Sequence, residues 1–164
     1  MLGKNANPLL QKTEQAVTDK VPANLKSGFQ KAVTVGLKIM YSDDGQNIMK
    51  DQLMKSGDYA NNAAEGAAKL LGELYKQSKM TLPMTIGIPA VTVLMCEALD
   101  FIEQAGKTKI TPDLLAEAMK ALSAYVLQLF GVSQDKLHDM TQQAKQAQQQ
   151  GNVRPARAGI IGGA

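Results

Sequence analysis

One histidine and one cysteine set the limits of side-chain chemistry in this chain. Cys96 ends an uncharged run that begins at Met80, whereas His138 falls in a later, polar segment. Thiolate–imidazole catalysis needs both groups within hydrogen-bond reach. Their separation and contrasting surroundings instead predict a buried thiol that acts as a small hydrophobe and a solvated imidazole. Asp43 and Asp44 offer oxygen ligands, but no regular series of further oxygen donors surrounds them as a cation loop requires, so they read as a capped, solvated turn. No phosphate-cradling glycine loop, dinucleotide fingerprint, zinc spacing or nucleophile elbow occurs. The reading therefore expects no catalytic residue, no metal ligand and no cofactor, and hence no enzyme.

The elements that would have to position any site are helical. Asn7-Pro8 reads as a cap with proline at the first helical position, opening a helix through Leu9, Leu10, Thr13, Ala16 and Val17 that stops near Val21. Pro22 opens a second, with Leu25, Phe29, Ala32, Val33, Gly36, Leu37 and Met40 at three- and four-residue spacing. Asp43-Asp44-Gly45 is turn chemistry, and Gln46–Lys55 is expected as a short helix. After Ser56-Gly57-Asp58, an alanine stripe at Ala60, Ala63, Ala64 and Ala67 continues into Leu71 and Leu74, with Ala68 and Gly72 beside it. Small residues on one face let a neighbouring helix come close.

Met80–Cys96 spans seventeen residues without a charge. Two prolines and a glycine within it favour the core helix of a bundle over a membrane span. It runs on through Glu97, Asp100 and Glu103 to Gly106. Thr111-Pro112-Asp113 is a strong helix start, and the helix it opens carries Leu115, Met119, Leu122, Val126 and Leu129 as its stripe, widened by Leu114, Ala118, Tyr125 and Phe130, with Gly131 at its end.

Ser133 opens a polar, glutamine-rich helix over 133–150, and residues 151–164, with four Gly, one Pro and two Arg, hold too little apolar material for a core. The expected organisation is thus an all-α helical bundle of about six or seven helices over 1–132, the polar helix over 133–150, and an extended C-terminal arm over 151–164. Arg154, Arg157, Ile160 and Ile161 are the arm residues expected to engage a neighbouring subunit.

Composition narrows the classes further. The chain has 164 residues, 45% apolar but only 4% aromatic, with nine Met and no Trp, which suits helix-on-helix packing of small and flexible side chains. A net charge of +3 is too small for a dedicated nucleic-acid binder, although both ends are basic. Gly106-Lys107-Thr108-Lys109 followed by the capped helix at Ile110–Leu115 resembles the second loop and third helix of a histone fold. The acidic flank at Glu97, Asp100 and Glu103 argues against that likeness.

Gly3-Lys4-Asn5-Ala6-Asn7-Pro8-Leu9-Leu10 with Glu14, then Val21-Pro22 and Lys38-Ile39-Met40-Tyr41, then Leu74-Tyr75-Lys76-Gln77-Ser78-Lys79 ahead of the apolar run, resemble small virion-associated proteins of tailed bacteriophages over most of residues 1–132. That resemblance implies a structural protein in many copies, either at the head-to-tail region or among the internal proteins ejected with the genome. It implies a homo-oligomer in contact with other virion proteins, with viral DNA and, after ejection, the host membrane as further partners. It brings no site residues. Met1–Gln15 shows no apolar signal region, so the expected location is the virion after synthesis in the host cytoplasm. The alternative from another class is a small DNA-binding helical protein of nucleoid or histone-like type.

Overall fold

A computed structural model of the chain describes residues 5–55, 57–131, 142–143 and 146. Helix α1 (Pro8–Lys20) starts where Asn7 Oδ1 accepts from the Leu9 N–H at 2.9 Å. It stops at Val21-Pro22, because proline cannot continue it and restricts the residue before it. A 3-10 turn (Ala23–Leu25) leads into α2 (Lys26–Met40), which buries Phe29, Ala32, Val33, Gly36 and Met40, the stripe its spacing predicts.

Helix α3 (Asp43–Leu53) departs from the sequence reading. Asp43-Asp44-Gly45 is its first turn rather than a loop before it. Ser42 Oγ accepts from the Gly45 N–H at 3.0 Å, and the two carboxylates sit where the helix dipole favours negative charge. Helix α4 (Tyr59–Gln77), capped by Asp58, buries the alanine stripe together with Asn62, Gly66 and Leu70. Met80 is 68% exposed with positive φ and takes no part in the next helix.

That helix, α5 (Met84–Gln104), is the axis of the bundle. Val91, Leu94, Met95, Cys96, Ala98, Leu99 and Ile102 are all fully buried. Pro89 leaves the Thr85 carbonyl without an intrahelical donor, and Thr85 is exposed, so water can serve it. Helix α6 (Pro112–Leu129) follows a loop in which Gly106 supplies the positive φ of the α5 end. Its buried line is Leu115, Ala118, Leu122 and Val126, so small Ala118 rather than Met119 faces the core.

Among the described residues there are thus six α-helices and no strand: the protein is all-α. The polar helix expected over 133–150 lies outside the described residues apart from Gln142, Gln143 and Gln146, which are helical and exposed. The arm over 151–164, with Arg154, Arg157, Ile160 and Ile161, also lies outside them. The chain divides into two units, residues 1–126 and 127–164, and the bundle is the first.

Within the bundle α4, α2 and α1 flank α5, while α3 covers α4. Tyr125 on α6 donates to Asn61 Oδ1 on α4 at 2.9 Å. Each fully buried Leu or Val on α5 contributes about 1.5–3 kcal/mol through removal from water. Helix α2 meets α5 tightly at Gly36, where a Cβ would lie 2.5 and 2.9 Å from the two methyl carbons of Leu94. Leu94 is fully buried and has little room to give way. Gly36→Ala is therefore expected to destabilise the bundle by roughly 1–3 kcal/mol through overpacking, read as a lower midpoint in urea; an unchanged midpoint would show that α2 and α5 are not in this register.

Candidate functional site

The sequence places carboxylates Glu97 and Asp100 on the one helix that the bundle surrounds, and the fold brings Glu14 of α1 to join them. Glu14, Glu97 and Asp100 are 5%, 6% and 7% exposed. Groups so placed keep their charge only with donors or cations at hand. Asn5 Nδ2 donates to Glu14 Oε1, and Gln11 Nε2 donates to the Asn5 carbonyl. Asp100 accepts from the Ala6 N–H at 3.2 Å and from Gln104 Nε2 at 2.5 Å. Tyr41 at the end of α2 donates to Glu97 Oε2 across a long 3.5 Å.

Glu103, one turn further along α5, accepts from Asn7 Nδ2 at 2.9 and 3.1 Å and from the Ile110 N–H at 2.6 Å. It ties the start of α1 and the loop before α6 to the same helix. Among the described residues no lysine pairs with any of these carboxylates: the two ion pairs are Lys69–Glu65 and Lys76–Glu73, both on α4. Among the described residues two buried acceptors, Glu97 Oε1 and Asn5 Oδ1, have no donor.

Burial, and then the charge of Glu97, push the Glu14 carboxyl up to about 7 from 4.5. Burial, and then Asp100, raise Glu97 against the opposing hydrogen bond from Tyr41. The Tyr41 phenol is raised as well, by burial and by Glu97. Burial, and then Glu14 and Glu97, push the Cys96 thiol up to about 12. A thiol so placed stays protonated at neutral pH and is a poor nucleophile, in keeping with the small-hydrophobe reading of its position. His138 lies outside the described residues. Among those described, no group of three or more Asp, Glu, His or Cys side chains is arranged to hold a metal ion. Asp43 and Asp44 are exposed in the first turn of α3.

Comparison with protein-family models, curated proteins and solved structures finds no match.

Among the described residues the surface offers largely apolar clefts. One, of about 480 Å3, is lined by Val17, Val21, Pro22, Met84, Ile88, Pro89 and Met119, with Lys20 as its charged member. Another, of about 440 Å3, runs between α2, the end of α4 and the start of α5, past Ala32, Val35, Leu74, Leu82 and Ile86. Lys31, Gln77, Ser78 and Thr81 also line this second cleft.

Sequence reading missed Glu14 and Asn5 as parts of the cluster. For Glu14 a signal exists, since it stands on the stripe Leu10, Glu14, Val17, Val21 of its helix. Asn5 precedes the helix and carries no periodic signal.

The raised Glu14 carboxyl sets the sign of one pH effect. Its stabilising, protonated form is fully present below about 4.5 and is lost progressively as pH rises to about 7. The loss is roughly 3 kcal/mol, at about 1.4 kcal/mol for each pH unit. Glu14→Gln is expected to match the wild-type melting temperature near pH 4.5 and to exceed it by several degrees at pH 8. Equal melting temperatures at both pH values would mean that Glu14 is ionised and solvated in the fold.

Proposed function

We propose that the protein is a non-enzymatic virion protein of a tailed bacteriophage, an internal (ejection) or head-to-tail component that acts by assembling with copies of itself and with other virion proteins. The observation that carries the assembly reading is apolar exposure. Ile48 and Met80 are 65% and 68% exposed, and Ile88 and Met119 stand open at the rim of the larger cleft. The grouped apolar surface of that cleft suits contact with another protein chain. The phage setting is supported by the resemblance carried by residues 3–10, Val21-Pro22, 38–41 and 74–79. In the fold, those of them that are described fall at the start of α1, the α1–α2 junction and the ends of α2 and α4.

Host membrane contact belongs to the same proposal. Among the described helices α5 alone has the length and composition to cross a membrane, and most of it is buried, as the core helix of a bundle is. The arm residues Arg154, Arg157, Ile160 and Ile161 are proposed to reach a neighbouring subunit. The alternative, a small DNA-binding protein, draws on exposed Lys26, Lys31 and Lys38 along α2. It requires duplex binding that weakens steeply with salt.

The full chain is expected to sediment as an oligomer and to be found in many copies in purified particles. Ile88→Asp combined with Met119→Asp should weaken self-association with little change in melting temperature, because both side chains are exposed. Cys96→Ala combined with His138→Ala should leave incorporation into particles intact. A strictly monomeric chain with tight, salt-sensitive DNA binding would overturn the reading in favour of the alternative.

A further inference from the structure

We propose that residues 5–20 form a proton-held latch: α1 stays closed over α5 while the Glu14, Glu97 and Asp100 cluster keeps a proton, and opens as that proton is lost. This inference stands apart from the virion reading and needs only the bundle.

Three observations carry it. First, among the described residues the cluster has too few donors for its oxygens. Asn5, Ala6, Tyr41 and Gln104 supply one hydrogen bond each to the three carboxylates, and Glu97 Oε1 and Asn5 Oδ1 remain without a donor. A carboxyl proton is the missing donor.

Second, no cation among the described residues offsets the charge. The titratable groups near Glu14 are Cys96, Glu97 and Asp100 from α5 and, through Glu97, Tyr41 from the end of α2. The buried line of α6 is wholly apolar, and Lys12, Asp19 and Lys20 of α1 itself are exposed. Ionisation therefore sets like charges together in a place that water does not reach.

Third, α1 is lightly held. It packs chiefly on α5, and Leu10 and Glu14 are the residues it buries, whereas α2 and α4 pack on one another as well as on α5. Losing α1 leaves most of the core in place.

Beneath the latch lies a built-in reporter. Cys96, Asp100 and Glu103 share one face of α5 at i, i+4 and i+7, and that face receives Ala6 and Asn7. Cys96 is the sole cysteine and is fully buried, so a small neutral reagent reaches it only after opening.

The test is the rate of Cys96 alkylation by iodoacetamide in the full chain at constant salt between pH 5 and 8, below the ordinary pKa of an opened thiol. Thiol ionisation alone raises the rate about tenfold per pH unit. Opening coupled to the loss of one proton adds roughly another tenfold per unit below about pH 7 and nothing above it. Wild type is thus expected to climb about a hundredfold per unit up to pH 7 and tenfold beyond. Glu14→Gln, whose amide is always neutral and offers donors, should climb tenfold throughout. Identical profiles for the two proteins overturn the proposal.

Hydrogen exchange of the wild-type chain decides the matter should the variant not fold. Loss of protection confined to residues 8–20 as pH rises from 5 to 7 supports the latch. Parallel loss in α4, or none in α1, overturns it.

Discussion

A helix of 21 residues that is apolar on nearly every side has little face to give to water beyond its ends, and the rest of the bundle follows from covering it. The amphipathic helices α1, α2, α4 and α6 each turn one stripe towards it or its neighbours. Small residues set how close they come: the alanine line of α4 and Gly36 of α2 bring backbones near enough that the leucines of α5 fill the space between. With little aromatic material to span gaps, close approach is what gives this core its density.

The same constraint creates the tension at the site. Glu97 and Asp100 lie on α5 and are buried with it, and Glu14 arrives from the stripe of α1. Burial of a carboxylate without a cation is costly, and the fold meets the cost with amide and hydroxyl donors and with a retained proton. Glu14 and Glu97, both raised, therefore weaken the compact state as pH rises from the acid range towards neutrality. That is the reverse of the ordinary ion-paired carboxylate, whose stabilising effect grows with pH.

The helices were legible because their signals are local. Asn7-Pro8, Thr111-Pro112-Asp113, Gly106 and the periodic stripe of α2 act within one or two turns, and each marks its element in the structure. Where the reading slipped, a non-local or competing term decided. Ser42 captured the Gly45 amide and drew Asp43-Asp44-Gly45 into α3, against their turn propensity. On α6 Ala118 is fully buried, while Met119 lies partly exposed at a cleft. The carboxylate cluster was the least legible part, because it joins residues 14, 97 and 100, which meet only once α1 has docked, together with Asn5, which has no periodicity to betray it. The proposed assembly surface is legible in neither periodicity nor motif, since single exposed residues such as Ile48 and Met80 look like any other apolar residue in a sequence.

The central claim is that Glu14 is buried beside two other carboxyls and holds a proton into the neutral range. Carbon-detected NMR of the side-chain carboxyls in the full chain, titrated from pH 4 to 9, measures this directly. The account predicts a Glu14 midpoint near 7, with a second, smaller inflection where Glu97 titrates. A Glu14 midpoint at the ordinary glutamate value near 4.5 would contradict it, because a carboxyl that ionises freely cannot lie in the core that the rest of this structure requires.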